Sequence, residues 1–161
     1  MRIILMMGAV IGAAAIAGAD EVQPPLVKEG LWEASSQHTM FGRTMHTSMK
    51  ICQTHETQRK EREFAAGIRK QNQCTSQSSQ PAPGVYVSES RCASGPAAGT
   101  VTRSTTTFQG DGSYRSEIHM TIAGKENVTI LEAKYVGPCP PDMKPGDTLM
   151  PDGRKINVTG G

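Results

Sequence analysis

Aromatic side chains are scarce in this sequence: one Trp, three Tyr and three Phe among 161 residues. A core with so few large side chains buries little apolar area, so the chain needs covalent staples or a broad sheet to hold its shape. An excess of one charge is missing too. The formal net charge is +2, which gives no electrostatic reason to expect nucleic acid or an anionic membrane as the partner. Catalytic signatures are absent: no Gly-x-Ser-x-Gly elbow, no His-Glu-x-x-His, no glycine-rich phosphate loop. No Cys-x-x-Cys pair occurs either. The four cysteines are spaced 22, 18 and 47 residues apart, which argues against structural zinc, whose ligands usually come in local pairs. The one apolar run, Ile3 to Ile16, is too short for a good transmembrane span.

That run reads instead as export machinery. Arg2 precedes it, and the small residues Ala17-Gly18-Ala19 follow it before Asp20. A positive end, an apolar core and small residues before a polar one form a secretory signal peptide. The expectation is a signal peptide over 1–19, cleaved after Ala19, and a periplasmic chain with no membrane span once the signal is removed. No Cys stands at the cleavage point, so a lipid anchor is not expected. Removing Arg2 leaves 16 basic side chains against 15 acidic ones.

All four cysteines, Cys52, Cys74, Cys92 and Cys139, lie in the exported part. An even count in an oxidising compartment reads as two disulfides and leaves no free thiol as a nucleophile. Three pairings are open. Cys74 with Cys92, across neighbouring strands, is favoured, together with Cys52 and Cys139, which ties an early hairpin to the end of a later meander.

The clearest local pattern lies in the last third. Tyr114, Ile118, Met120 and Ile122 share one parity, while Arg115, Glu117, His119 and Thr121 share the other. Successive strand side chains point to opposite faces, so this is a strand with one dry and one wet face. Turns at Gly110-Asp111-Gly112 and Ala123-Gly124-Lys125 make it the middle of a meander. Upstream, an extended lead-in over 20–28 carries Pro24-Pro25. The strand from Gly30 then places Trp32, Ala34, Ser36, His38 and Met40 on one face. A turn at Gly42-Arg43 would set Met40 opposite Met45 and bring Met49 and Ile51 to the same face. Thr54 can cap a helix, expected near 54–68, with Phe64, Ala65 and Ile68 as a thin apolar stripe docked on the protein. Together these give one mainly β (α+β) domain over 29–140. It would be a single curved antiparallel sheet, or a partly closed barrel, of about seven strands with one helix after the second strand. A turn-rich tail at 141–161 follows, holding at best a short peripheral hairpin from Thr148 to Val158 around Pro151-Asp152-Gly153.

Gly30-Leu31-Trp32-Glu33, Cys52 before a helix, Gly110-Asp111-Gly112-Ser113-Tyr114 and Gly137-Pro138-Cys139-Pro140 stand in a characteristic order. So do Met143-Lys144-Pro145-Gly146-Asp147 and Pro151-Asp152-Gly153. In these residues the chain resembles the bacterial exported proteins grouped as domain-of-unknown-function family 3617. The resemblance implies an envelope-associated protein with no catalytic residues to carry over.

Two local constellations point to chemistry. His38, Met40, Met45 and Met49 combine imidazole and thioethers, soft ligands suited to Cu(I). The plain alternative is that these methionines fill an irregular core. Trp32, Met40, Met49 and Met120 would line an apolar pocket on the sheet face. The leading expectation is a non-enzymatic envelope protein that binds a small apolar ligand or a protein partner. Copper binding or metal stress is the alternative.

Overall fold

The computed structural model describes residues 22–40 and 42–157; the expected signal peptide lies outside them. The elements run β1 (Gly30–Met40), β2 (Arg43–Gln53), α1 (His55–Gln71), β3 (Cys74–Ala82), β4 (Val85–Cys92), β5 (Val101–Gln109), β6 (Ser113–Ile122), β7 (Lys125–Gly137), β8 (Asp147–Leu149) and β9 (Lys155–Asn157). All the strands form one antiparallel sheet in the order β3-β4-β5-β6-β7-β1-β2-β8-β9. The two end strands are not paired to each other, so the sheet is open rather than a partly closed barrel. It has nine strands among the described residues, not about seven, because the turn-rich tail adds β8 and β9.

Period-two alternation sets the two faces. Trp32 and Ala34 of β1 meet Ile51 and Met49 of β2 on one side and Tyr135 and Ala133 of β7 on the other. Tyr114 of β6 continues that row opposite Ala133, and Phe108 of β5 stands opposite Tyr114. Trp32 is 1% exposed and anchors a small core with Val27, Ala34 and Ala133. Its ring lies 5.8 Å from Tyr114 and 6.0 Å from Tyr135; such pairs add about 0.5–1.5 kcal/mol each beyond area burial. The opposite face is wet and charged, with Glu33 bridging Lys50 and Lys134 and Arg115 bound to Glu132. Opposite charges on neighbouring strands favour this register.

The first hairpin differs from its expected register. His38 is opposite Met45, and Met40 is opposite Arg43. The chain therefore reverses across Gly42 and not Gly42-Arg43; Gly42 takes φ +76°, a conformation open to Gly at little cost. The slip is one whole pleat repeat, so Met45 and Met49 stay on the Trp32 face. At the other end of β1, Leu31 pairs with Gly137 and Trp32 with Tyr135, which makes Val136 the extra residue of a bulge. Gly30 sits beside this bulge with φ +136°, and a Cβ there would collide with the Gly137 carbonyl oxygen.

The helix also departs from expectation. It begins one residue later than 54 and runs to Gln71 rather than 68. Thr54 is its N-cap: its hydroxyl accepts from the Thr57 N–H, and the Thr57 hydroxyl accepts from the Thr54 N–H. Phe64 and Ile68 are exposed, at 71% and 43%, while Thr57 and Gln58 are buried. The docked edge is thus polar, and it works because the lead-in satisfies it. The Gln58 amide bonds both backbone groups of Val27, and Arg62 reaches the carbonyls of Pro24 and Pro25. Two disulfides, Cys52–Cys139 and Cys74–Cys92, close the structure, with Cα–Cα distances of 5.5 and 3.9 Å.

Candidate ligand groove

Because the docked edge of α1 is its Gln58 side, the neighbouring edge stands clear of the sheet. β2 passes below it, and β8, bonded to β2 through Lys50 and Ile51, brings the tail alongside. The result is a groove of about 720 Å³. Met49 and Ile51 of β2 and Tyr114 of β6 form its floor. Lys60, Glu61 and Phe64 of α1 form one wall, and Thr148, Met150 and Ile156 form the other. Phe64 at 71% and Ile156 at 44% exposure are among the large apolar side chains left open to solvent.

Gln53, Lys60, Glu61, Glu63, Thr148 and the Tyr114 phenol supply the polar groups of the groove. Glu61 makes no hydrogen bond or ion pair among the described residues, and partial burial pushes its carboxyl above the ordinary range. Burial likewise raises the Tyr114 phenol, helped by the nearby Glu61 charge. Lys60 is committed to Glu56, 2.8 Å away one helical turn back. An apolar floor with polar groups at its walls suits a small-molecule site, and this volume lies in the usual range of roughly 300–1,000 Å³.

Of the residues expected to line a pocket, Met49 is in this groove. Trp32 is in the core instead, with its indole N–H donated to the Lys28 carbonyl at 2.8 Å. Met40 lies eight residues along β1 from Trp32, about 26 Å at strand rise, and Met120 pairs with Thr102 and Asn127 toward that same far end. The soft-ligand set shares one sheet face. His38 and Met45 are direct cross-strand partners, Met49 is opposite Ala34, and Met40 is beside the hairpin turn. His38 Nδ1 lies 3.0 Å from the Thr129 hydroxyl. Among the described residues no three His, Cys, Asp or Glu side chains gather as a metal site.

Sequence reasoning missed Phe64, Met150 and Ile156 as groove residues. Phe64 looked like a docked stripe, and only the fold brings the tail beside α1. The signal available was an apolar residue every few positions in a tail otherwise made of turns.

An open antiparallel sheet with one helix laid across it, stapled by two disulfides and grooved beside the helix, defines the class. The family model described as a protein of unknown function (DUF3617) matches residues 27–139, and the chain belongs to that family. The match runs from the buried Val27 to Cys139, so β8 and β9 lie beyond it. No curated protein and no solved structure matches the chain. No helix among the described residues is long and apolar enough to cross a membrane.

Proposed function

We propose that this protein is a bacterial envelope protein, exported to the periplasm, and that it acts as a non-enzymatic binding module for a small apolar ligand. The observation that carries this reading is the groove between α1 and the β2–β8–β9 side of the sheet. Its Phe64 and Ile156 are exposed, and Met49, Ile51 and Met150, half-buried, add apolar area along its floor and wall. Methionines suit such a site because the unbranched thioether adapts to irregular shapes. Two disulfides fit an oxidising compartment.

Titration with the uncharged fluorophore N-phenyl-1-naphthylamine tests the site. Saturable binding to one site is expected, weakened about tenfold or more in Phe64→Ser/Ile156→Ser; unchanged binding in that folded variant would sink the reading. A native mass spectrum of protein taken from the periplasm tests the address. The expected mass is that of the chain from Asp20, short of four hydrogens for two disulfides; retention of residues 1–19 would contradict it.

One observation favours a second reading. His38 and Met45 face each other directly on the exposed end of the first hairpin. That is the start of a soft-metal site, with Met40 and Met49 on the same face. Cu(I) competition against a colorimetric chelator, repeated in Met45→Leu, decides it: equal retention of copper in both forms would remove the copper reading.

A further inference from the structure

The other edge of α1 covers a second space of different character. Ser78, Ser88 and Ser104 form one row across β3, β4 and β5, since Ser78 pairs with Ser88 and Ser88 with Ser104. Tyr86 and Thr106 form the next row. A sheet face under a helix is usually filled by branched or aromatic side chains. Here the floor is largely hydroxyls beside Tyr86 and Val87, the helix above it carries Ala65 and Ala66, and Val22, Pro24 and Leu26 of the lead-in also line the space. Small groups on both sides leave a cleft of about 690 Å³. Ser88 and Ser104 bond each other at 2.8 Å, but the buried Ser78 hydroxyl has no partner in the structure. Its oxygen has almost no solvent-accessible area, so an occupant reaches it only where the floor side chains shift, and would then recover the free energy that an unsatisfied hydroxyl costs.

The rim carries charge in a definite order. Arg59 and Arg69 are ten residues apart, about 15 Å along the helix, and both line the cleft. Neither makes a hydrogen bond or ion pair among the described residues, although Arg59 feels the Glu56 charge. Arg62, between them, is committed to the lead-in carbonyls. Glu63, between these two arginines along the helix, lines the cleft and also the wall of the apolar groove. An occupant matching this order has carboxylates near its ends, hydroxyls toward Glu63 and the serine floor, and an elongated body.

We propose that this cleft is a binding site for an acidic oligosaccharide, distinct from the apolar groove, with which it shares Glu63. Arg59 and Arg69 take its carboxylates in the forked geometry that guanidinium favours, and Ser78, Ser88 and Ser104 hydrogen-bond its hydroxyls. The test uses trigalacturonate as probe, with neutral maltotriose and inorganic tripolyphosphate as comparisons, read by titration calorimetry on the intact disulfide-bonded protein. Trigalacturonate is expected to bind at one site at least tenfold more tightly than either comparison. Arg59→Gln and Arg69→Gln should each weaken it about tenfold, and Ser78→Ala several-fold, while N-phenyl-1-naphthylamine binding stays unchanged. Absence of saturable trigalacturonate binding, full retention in Arg59→Gln/Arg69→Gln, or equal affinity for tripolyphosphate would each overturn the proposal. Because the fluorophore reports the other groove, failure here leaves that reading intact, and the reverse holds as well.

Discussion

Gln58 clasps Val27 with both ends of its side-chain amide. Its Oε1 accepts from the Val27 N–H at 2.8 Å, and its Nε2 donates to the Val27 carbonyl at 3.0 Å. A side chain on the helix thus takes the place of a neighbouring strand for one residue of the lead-in. Both residues are buried, so neither backbone group has water as a substitute. Gln58→Ala would orphan a donor and an acceptor, at about 1–3 kcal/mol each. The expected loss is about 2–6 kcal/mol in urea unfolding. Gln58→Glu puts a buried carboxylate oxygen against the Val27 carbonyl, so near neutral pH it should lose at least as much as Gln58→Ala and recover part of that at low pH, where the protonated carboxyl can donate. A loss below about 0.5 kcal/mol in Gln58→Ala would mean that the lead-in contributes nothing to stability.

The two disulfides should differ in weight. Cys52–Cys139 closes a separation of 87 residues and Cys74–Cys92 one of 18. In the chain-entropy model the first contributes about 4.6 kcal/mol and the second about 3.2 kcal/mol. The long bridge also holds Cys52 where its carbonyl accepts from the Gly146 N–H at 2.8 Å, the contact that begins the tail. Cys52→Ser/Cys139→Ser should therefore cost more in urea midpoint than Cys74→Ser/Cys92→Ser. It should also raise amide exchange in β8 and β9 selectively. Equal midpoints with protected tail amides would contradict both expectations.

How far the fold was legible follows from which interactions are local. The faces of β6 were readable because Tyr114, Ile118 and Met120 alternate with Arg115, Glu117 and His119, and one pleated strand must separate them. The parity of the first hairpin was readable for the same reason, but its register was not. That depended on whether the left-handed position fell on Gly42 as second or first turn residue, and both choices keep Met45 and Met49 on the Trp32 face. The helix was visible, but its docked edge was not, because Gln58 is polar and becomes buriable only against Val27, 31 residues away. β8 and β9 have three residues each, too few for a periodic signal, so the turn at Pro151-Asp152-Gly153 marked a short hairpin there but not its pairing with β2. They exist because β2 offers an edge. The groove inherits both gaps, since it needs Phe64 left undocked and the tail folded beside it.

His119 lies between two carboxylates on the wet face, with Nε2 2.9 Å from Glu117 and Nδ1 3.1 Å from Glu126. These two hydrogen bonds favour the imidazolium and hold the ring above the ordinary histidine range, Glu117 acting more strongly than Glu126. The folded value is raised, so the stabilisation is fully present below the unfolded value and is lost as pH rises through the folded one. In an NMR titration His119 should lose its proton at a higher pH than a free histidine. Glu117→Gln should lower that midpoint more than Glu126→Gln. A midpoint at or below the ordinary value would show that the carboxylates do not hold the ring in solution.

Glu61 gives the opposite sign. Its carboxyl lies partly buried at the groove, beside Tyr114 and Gln53 and next to Lys60, whose ammonium is taken by Glu56. Desolvation raises its folded value above that of the unfolded chain. Between the two values the folded state holds more protons than the unfolded one, so rising pH through that window destabilises the protein. Once both states are ionised, the desolvation penalty is fully present. Glu61→Gln removes the charge while keeping the shape, so it should raise stability at pH 7 and leave it little changed near pH 3.5. The mutant should also flatten the fall in urea midpoint between those limits. Greater affinity of Glu61→Gln for N-phenyl-1-naphthylamine at pH 7 would follow from the same cause, because an unpaired carboxylate at the wall disfavours an apolar occupant. A variant no more stable than wild type at pH 7 would mean that solvent reaches the carboxylate freely, and the groove would then be wetter than its lining implies.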